Sequence, residues 1–233
     1  EPYRRQRQMC IRDSSYSGLF NSEEEAAAAA QAYKEYQLAE GDTVIGESFT
    51  TTVQPQTSFV IMDQATGYVK AISGGRGEKK GDLTLNRATD SVRQPGSVFK
   101  VISSFAPALD SCGATLGTVY YDSQYTVNEK TIRNWYSAGY LGYHNIREGI
   151  VYSMNVIASR CLMETVTPQL GIEYAENMGI STLVSSDITP AAALGGLTYG
   201  VTNLELTSAF AAIANGGMYT AVSYTHLTLP TIR

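Results

Sequence analysis

Two residues three positions apart, Ser97 and Lys100, have the types and the spacing that nucleophilic catalysis needs. On a helix, residues at i and i+3 share a face, so a serine hydroxyl and a lysine amine can approach each other. The lysine serves as the activating base when burial or nearby positive charge lowers its pKa. Pro95-Gly96 place Ser97 in the first predicted helical turn, where free backbone N–H groups favour negative charge. By itself, the pattern is met more often as a capping serine followed by a solvated lysine.

A second polar pair, Ser153 and Asn155, forms the pattern Ser-x-Asn at the head of the next long predicted helix. Alone, this pattern is also explained by helix capping, for which both residue types are favoured. The surroundings of the two patterns are more specific than the patterns themselves. In chain order they are NRA at 86–88, RQPGSVFK at 93–100, ALGG at 193–196, GVTNLE at 200–205 and ANGG at 214–217.

In this order and wording, the motifs resemble the transpeptidase domain of penicillin-binding proteins, most closely the class A enzymes of Gram-positive type. The pattern Ser-x-x-Lys is shared by penicillin-binding proteins and class A β-lactamases. The resemblance covers roughly Thr57 to Tyr219. It implies an α+β fold of the serine β-lactamase and transpeptidase type, in which a helical subdomain packs on an antiparallel sheet. It also implies that the C-terminal strands of that fold are missing from this sequence.

The resemblance assigns a role to each of the four polar residues. Ser97 would attack the penultimate D-Ala carbonyl of a peptidoglycan stem peptide, and its backbone N–H would supply half of the oxyanion hole. Lys100 would take the Ser97 proton, and Ser153 would relay a proton to the leaving amine. Asn155 would hydrogen-bond the substrate amide. The expected activity is D,D-transpeptidation through a serine acyl-enzyme, and β-lactams would acylate the same serine.

One departure from the family pattern concerns its third motif, Lys-Thr/Ser-Gly, which does not occur in the 233 residues. We expect it beyond Tyr219, and we expect the chain as given to be inactive. The alternatives with related chemistry are a D,D-carboxypeptidase and a serine β-lactamase, in which water is the acceptor. An alternative of another class is a non-catalytic module that senses β-lactams or acts as a scaffold.

The elements that must position these residues follow from periodicity and turn signals. A strand at 57–62, a hairpin turn at 63–67 and a return strand at 68–73 come first, and a glycine-rich loop runs from 74 to about 89. Helices are predicted at 22–37, 97–109, 154–163, 168–178 and 202–214, with a glycine-rich loop at 191–200. Ser22 and Glu25 have the spacing of a capping box for the first helix.

The segment 110–145 is rich in Tyr, Gly, Ser and Asn and lacks clean periodicity, so it is predicted to be irregular. Within it, Trp135 and Tyr136 either line a substrate cleft or take part in ordinary packing. His144 is predicted to be a structural hydrogen-bonding residue. Cys112 and Cys161 are predicted to be unpaired, buried thiols.

Composition excludes several classes of partner. The net charge of −5 gives no reason to expect a nucleic acid. No run of 18 apolar residues occurs, so a membrane is expected only through an N-terminal anchor outside this sequence. The resemblance places the site on the extracytoplasmic face of the cell membrane and implies an upstream glycosyltransferase domain in a class A parent. Three cysteines and two histidines are not clustered, so we expect neither a metal nor a cofactor.

The two ends of the sequence have a codon relationship. When residues 222–233 are read backwards against residues 2–13, every pair can be encoded by reverse-complementary codons; His226 as CAT opposes Met9 as ATG, for example. This relationship predicts one inverted DNA adapter at both ends. We therefore expect 1–13 and 222–233 to be adapter-derived and 14–56 to be a linker and the start of the domain. Residues 57–221 are expected to be a truncated transpeptidase domain.

Overall fold

A computed structural model of the protein describes residues 15–77 and 83–222. The adapter prediction concerns residues 1–13 and 222–233, and of these only Val222 is described. Residues 78–82 of the first glycine-rich loop also lie outside the described residues. The chain divides into two compact units, one ending at Gln54 and the other beginning at Pro55.

The first unit contains one helix, α1 (Glu23–Gln37), among its described residues. Ser22 caps this helix, since its Oγ accepts a hydrogen bond from the Glu25 N–H at 3.1 Å. The predicted capping box is only half formed. The Glu25 carboxylate accepts from the backbone N–H of Asn21 at 2.9 Å, one residue before the cap, rather than from Ser22.

The second unit begins with the predicted hairpin, formed by β1 (Phe59–Met62) and β2 (Val69–Ser73) in antiparallel pairing. The Asp63 side chain closes the turn because its Oδ1 accepts hydrogen bonds from the N–H groups of Ala65 and Thr66. Gly67 adopts φ +70°, a conformation that costs glycine least. The hairpin prediction is confirmed, with the first strand two residues shorter than expected.

The helix that carries Ser-x-x-Lys is irregular. It opens with a 3₁₀ turn (Gly96–Val98), widens into a π-helical segment (Val101–Phe105) and ends as α2 (Ala106–Asp110). In the wide segment, the N–H of Ala106 donates to the carbonyl of Val101, five residues back. Pro107 explains the widening, because proline has no N–H and its ring repels the carbonyl four residues earlier. The predicted helix at 97–109 is therefore confirmed, with a π-turn that periodicity did not show.

The prediction of an irregular segment at 110–145 is wrong in part, since it contains four short strands. Strands β3 (Val119–Asp122) and β6 (Gly142–Asn145) pair antiparallel, and β4 (Tyr125–Val127) forms a hairpin with β5 (Lys130–Ile132). The turn of this hairpin is Asn128-Glu129, with φ +49° and +65°. Two-residue hairpin turns of this kind usually carry glycine at the second position. Because glutamate stands there instead, the sequence did not predict this hairpin.

Helices make up most of the remainder: α3 (Ile146–Val151), α4 (Asn155–Arg160), a π-helical continuation (Cys161–Val166), α5 (Pro168–Asn177) and α6 (Asn203–Ala214). These confirm the three helices predicted there. The predicted loop at 191–200 is wrong at its start, where Pro190–Leu194 forms a 3₁₀ helix. Thr202 and Glu205 form a full capping box at α6, because the threonine hydroxyl and the glutamate each bind the other's backbone N–H.

The hydrophobic core is centred on the irregular helix, whose Phe99, Ile102 and Phe105 are almost fully buried. Helices α4 and α5 and the π-helical continuation contribute Ile157, Leu162 and Ile172 to the same cluster. Helix α6 packs on β1, with the Asn203 amide donating to the Ser58 carbonyl at 3.1 Å. The described residues form three small antiparallel sheets, and helices pack with them. This combination confirms the α+β fold.

Helix α5 approaches the π-helical segment through Gly171. A methyl group at this position would overlap with the carbonyl oxygen of Ser103 and stand 2.8 Å from Leu162 Cδ1. We expect Gly171→Ala to lower the free energy of unfolding by about 1–3 kcal/mol, although alanine is the better helix former, because overpacking outweighs propensity. Urea denaturation measures this, with the exposed Gln169→Ala on the same helix as the control. A stability equal to or above the parent would contradict the close approach.

Candidate active site

The side chain of Lys100 is buried, with 2% of its surface exposed. Its ammonium nitrogen donates to three oxygens: the Ser153 carbonyl at 2.6 Å, the Ser153 hydroxyl at 3.0 Å and the Asn155 Oδ1 at 2.5 Å. These contacts exclude the interpretation of Lys100 as a solvated lysine after a helix cap. The structure thus brings together three of the four residues predicted for the site.

The Lys100 amine has no carboxylate within ion-pair distance among residues 15–77 and 83–222. Burial removes water from the ammonium and lowers the pKa of Lys100 from 10.5 to about 8. The three neutral oxygens stabilise the charged form, but dipoles replace hydration only in part. A pKa of about 8 leaves roughly a tenth of the molecules with a neutral amine at pH 7, which is the form that accepts a proton.

Ser97 lies in the 3₁₀ turn Gly96–Val98, and Lys100 follows three residues later on the same helix, a spacing that places the two residues on one face. The Ser97 side chain is exposed and makes no hydrogen bond among the described residues. The preceding Gly96 adopts φ +58°, which fixes the sharp entry to the turn. A hydroxyl that is exposed and unpaired is available to an incoming substrate.

The turn at Ser97 is held from the side by residues 195–197. The Gln94 side chain pairs with the backbone of Leu197 in both directions, accepting its N–H at 2.7 Å and donating to its carbonyl at 2.5 Å. Gly195 comes so close that a methyl group there would stand 2.6 Å from the Gly96 nitrogen. The ALGG motif that contributed to the resemblance therefore packs directly behind the predicted nucleophile.

Ser153 adopts φ +50°, an uncommon conformation for a residue other than glycine. The N-cap of α4 is Met154, which makes no side-chain cap, so the interpretation of Ser153 as a capping serine is wrong. Its strained backbone instead points both its carbonyl and its hydroxyl at Lys100. Strain of this kind persists where the surroundings enforce it, and it is often found at functional sites.

Sequence reasoning missed the loop that supports this turn. The Arg133 carbonyl accepts from Asn155 Nδ2 at 2.7 Å, and the Asn134 Oδ1 accepts from the Asn155 N–H at 3.0 Å. The Trp135 indole N–H donates to the Tyr152 carbonyl at 2.8 Å. Three consecutive residues of the loop are thus bonded to residues 152–155. Trp135 and Tyr136 were singled out by type, whereas Asn134 beside them gave no signal of its own.

Trp135 and Tyr136 differ in their surroundings. Trp135 is 71% exposed and lies next to the Ser153–Asn155 turn, whereas the Tyr136 hydroxyl donates to Asp122 at 2.7 Å. Burial raises the pKa of Tyr136, so this hydroxyl stays a donor. His144 is half-buried on β6.

The free thiols differ in burial, since Cys161 is fully buried and Cys112 is partly exposed. No group of three or more potential metal-ligating His, Cys, Asp or Glu side chains occurs in the described ranges.

Comparison with known proteins gives a family for this arrangement. The model of the penicillin binding protein transpeptidase domain matches residues 57–228, which is most of the chain. The chain belongs to the penicillin-binding protein transpeptidase family. The members of this family are serine acyltransferases. The matched range extends past residue 221, into the segment that the codon relationship predicts to be adapter-derived.

Curated relatives agree with the family. Penicillin-binding protein 1A of Clostridium botulinum is 35% identical over 183 residues, covering 72% of this chain and 21% of its own length. Penicillin-binding protein 4 of Bacillus subtilis is 32% identical over 165 residues, covering 71% of this chain and 26% of its own length. The chain thus spans about a fifth to a quarter of these relatives. In its described part, no helix is long and apolar enough to cross a bilayer.

Solved structures agree with the fold. Penicillin-binding protein 1A from Haemophilus influenzae aligns with a TM-score of 0.61 at 28% identity, covering 70% of this chain and 24% of that protein. The penicillin-binding protein PonA1 from Mycobacterium tuberculosis aligns with a TM-score of 0.60 at 24% identity, covering 83% and 48%. The second likeness shows the fold alone.

The depressed pKa of Lys100 is open to direct titration. In protein labelled with ¹³C-lysine, the Lys100 ε-methylene signal, assigned by its loss in Lys100→Met, is expected to titrate with a midpoint near 8. Between about 8 and 10.5 the unfolded chain keeps this proton and the folded chain releases it. The free energy of unfolding attributable to Lys100 should therefore rise with pH across that window. The pH dependence of the free energy of unfolding, measured for the parent and for Lys100→Met, gives the sign of this effect. A titration midpoint of the Lys100 signal near 10.5 would contradict the effect of burial.

Proposed function

We propose that this chain is part of a D,D-transpeptidase that cross-links peptidoglycan stem peptides, with Ser97 as the acylated nucleophile. The observation that carries the proposal is the buried Lys100 amine. It lies in contact with Ser153 and Asn155 and one helical turn beyond the exposed Ser97 hydroxyl. A nucleophile, a base of lowered pKa and a second hydroxyl in contact with that base are the groups that acyl transfer requires.

In the acylation step, Ser97 Oγ forms a bond to the penultimate D-Ala carbonyl carbon while its proton passes to the neutral amine of Lys100. The Ser97 N–H, at the start of the helical segment, donates to the developing oxyanion. The carbon–nitrogen bond to the terminal D-Ala then breaks. Ser153, 3.0 Å from the lysine nitrogen, passes a proton from Lys100 to the leaving amine. The balance is one ester formed, one amide cleaved and one proton moved from Ser97 to D-Ala.

In the second step, an amine of a neighbouring stem peptide attacks the ester and returns the proton to Ser97, which gives a new amide cross-link. The hydrolytic alternatives, carboxypeptidase and β-lactamase, need a water activated by a base. No carboxylate makes a hydrogen bond to Ser97, Lys100, Ser153 or Asn155 within the described ranges. A water acceptor would therefore have to be activated by Lys100 or by a group outside the described ranges.

Asn155 is proposed to bind the substrate amide. Its Oδ1 is directed to Lys100 and its Nδ2 to the Arg133 carbonyl, so the carboxamide is held at both ends and only partly buried. The Lys-Thr/Ser-Gly motif that the family resemblance requires does not occur in the sequence. We propose that the active protein carries it downstream of residue 221, and that residues 57–221 are the part of the domain present here.

The wider setting is proposed from the relatives. Their names identify them as penicillin-binding proteins 1A and 4, so β-lactams are the proposed covalent inhibitors of this site. A membrane anchor and a glycosyltransferase domain are proposed for the parent protein, with the transpeptidase site on the outer face of the cell membrane. Residues 1–13 and 222–233 are proposed to derive from an adapter. Resequencing the source DNA outward from residues 57–221 would contradict that if the native frame continued through residues 222–233.

Acylation tests the central proposal. A fluorescent penicillin is expected to label the longer protein that carries residues 14–221 and a downstream Lys-Thr/Ser-Gly, but not the 233-residue chain. Ser97→Ala should abolish the labelling, and peptide mass mapping should place the adduct on Ser97. Ser185→Ala, at an exposed serine outside the motif, is the matched control and should label like the parent. Labelling that survives Ser97→Ala would refute the assignment of the nucleophile.

The rival functions give different products with the same protein. A transpeptidase forms a cross-linked dimer from stem peptides, whereas a carboxypeptidase releases D-Ala without cross-linking. A β-lactamase turns penicillin over instead of retaining it. Stable labelling with neither cross-linking nor D-Ala release would favour the sensor module.

A further inference from the structure

A buried carboxylate lies behind the Ser153–Asn155 turn. Asp122, at the end of β3, is 1% exposed and accepts three hydrogen bonds. Its Oδ2 accepts from the Tyr136 hydroxyl at 2.7 Å and from the Leu141 N–H at 2.9 Å, and its Oδ1 accepts from Asn134 Nδ2 at 2.8 Å. No cation pairs with this carboxylate in the described ranges. An unpaired buried charge is costly, so the three donors must be held firmly in place.

Asn134 connects this carboxylate to the site. Its Nδ2 donates to Asp122, and its Oδ1 accepts the N–H groups of Asn155 at 3.0 Å and Val156 at 3.3 Å. These two N–H groups belong to the first residues of α4, where no earlier turn supplies an acceptor. The Asn134 amide therefore serves as the cap of α4, in place of the absent side-chain cap at Met154.

The carboxylate decides which way the Asn134 amide points. An asparagine amide has one accepting and one donating end, and a carboxylate only accepts. Because Asp122 accepts, the NH₂ of Asn134 must face it and the oxygen must face α4. A neutral, hydroxyl-bearing residue at 122 would permit either orientation. The reversed amide would direct its donors at the N–H groups of Asn155 and Val156.

We propose that Asp122 and Asn134 are a positioning pair, which fixes the Ser153–Asn155 turn and thereby the contacts that Ser153 and Asn155 make with Lys100. The pair acts through the backbone of α4 and touches no reacting atom. It enforces the uncommon φ of Ser153 and holds Asn155 so that its Oδ1 meets the lysine. The catalytic consequence rests on the proposed acyl transfer, whereas the structural consequence does not.

Exchanging the two residues tests the pair. In Asn134→Asp, two carboxylates face each other, so the cap is expected to loosen. Hydrogen exchange of the Asn155 and Val156 amides should then accelerate roughly tenfold or more. In Asp122→Asn/Asn134→Asp, the contact is restored with its direction reversed. Residue 122 then donates to residue 134, keeps one oxygen for Tyr136 and Leu141, and leaves residue 134 to accept from α4.

Exchange in the double variant is therefore expected to return to within about threefold of the parent, a recovery that independent effects of the two substitutions would not produce. In the longer protein that also carries a downstream Lys-Thr/Ser-Gly, the penicillin acylation rate should follow the same order, falling about tenfold or more in the single variant and recovering in the double. Thr126→Val, which removes the exposed Thr126–Thr131 hydrogen bond on the neighbouring hairpin, is the control and should change neither readout.

The outcomes separate the two proposals. Unchanged exchange in Asn134→Asp, or no recovery in the double variant, would overturn the positioning pair. If the single variant does not fold and the double variant folds with parental exchange, the pair is supported. If neither folds, it is overturned, because the reversed pair has the same shape and the same number of hydrogen bonds. If the longer protein with a downstream Lys-Thr/Ser-Gly is never acylated but shows the expected exchange pattern, the acyl-transfer function is refuted and the pair stands.

Discussion

A lysine taken out of water must find three acceptors, and here those acceptors come from only two residues, Ser153 and Asn155, more than fifty positions along the chain from Lys100. No carboxylate among the described residues shares the task. The Lys100 amine is therefore hydrogen-bonded by the protein and has a lowered pKa, which is the combination that a base needs. Other features of the site have to serve this contact, because moving the turn by an ångström would leave a charge buried without partners.

One short stretch of helix carries both the exposed nucleophile, Ser97, and the buried base, Lys100. The 3₁₀ turn leaves Ser97 at the surface, while Lys100, a turn later, points into the core beside Phe99. Two glycines allow close packing against this helix. Gly195 lets a loop pack against the backbone of the turn, and Gly171 lets α5 reach the wide segment. Close packing of this sort makes the geometry of the site a property of the whole core.

Much of this arrangement could be predicted from the sequence. The helices show the helical hydrophobic period, the first hairpin has recognisable turn residues, and the four polar residues have motif spacing. The four short strands of 110–145 did not, because three- and four-residue strands are too short to show alternation. The Asn128-Glu129 turn lacks its usual glycine. Asp122 and Asn134 gave no local signal either. Their importance arises from pairing across a loop, and spacing along a chain cannot show which buried carboxylate will orient which amide.

The π-turn at Val101–Phe105 has a consequence for anyone who aligns or redesigns this helix. A wide turn carries one residue more than an α-helical turn over the same rise. Deleting one residue there would therefore close the π-turn into a regular α-helical turn and keep Ser97 and Lys100 near their present orientation relative to Phe105. A second deletion would have no wide turn to absorb it, and it would rotate Lys100 away from its three acceptors by about 100°. Between the serine and the proline at 107, a homologue can thus lose one residue and keep the site, whereas the loss of two residues would turn the lysine out of its contacts.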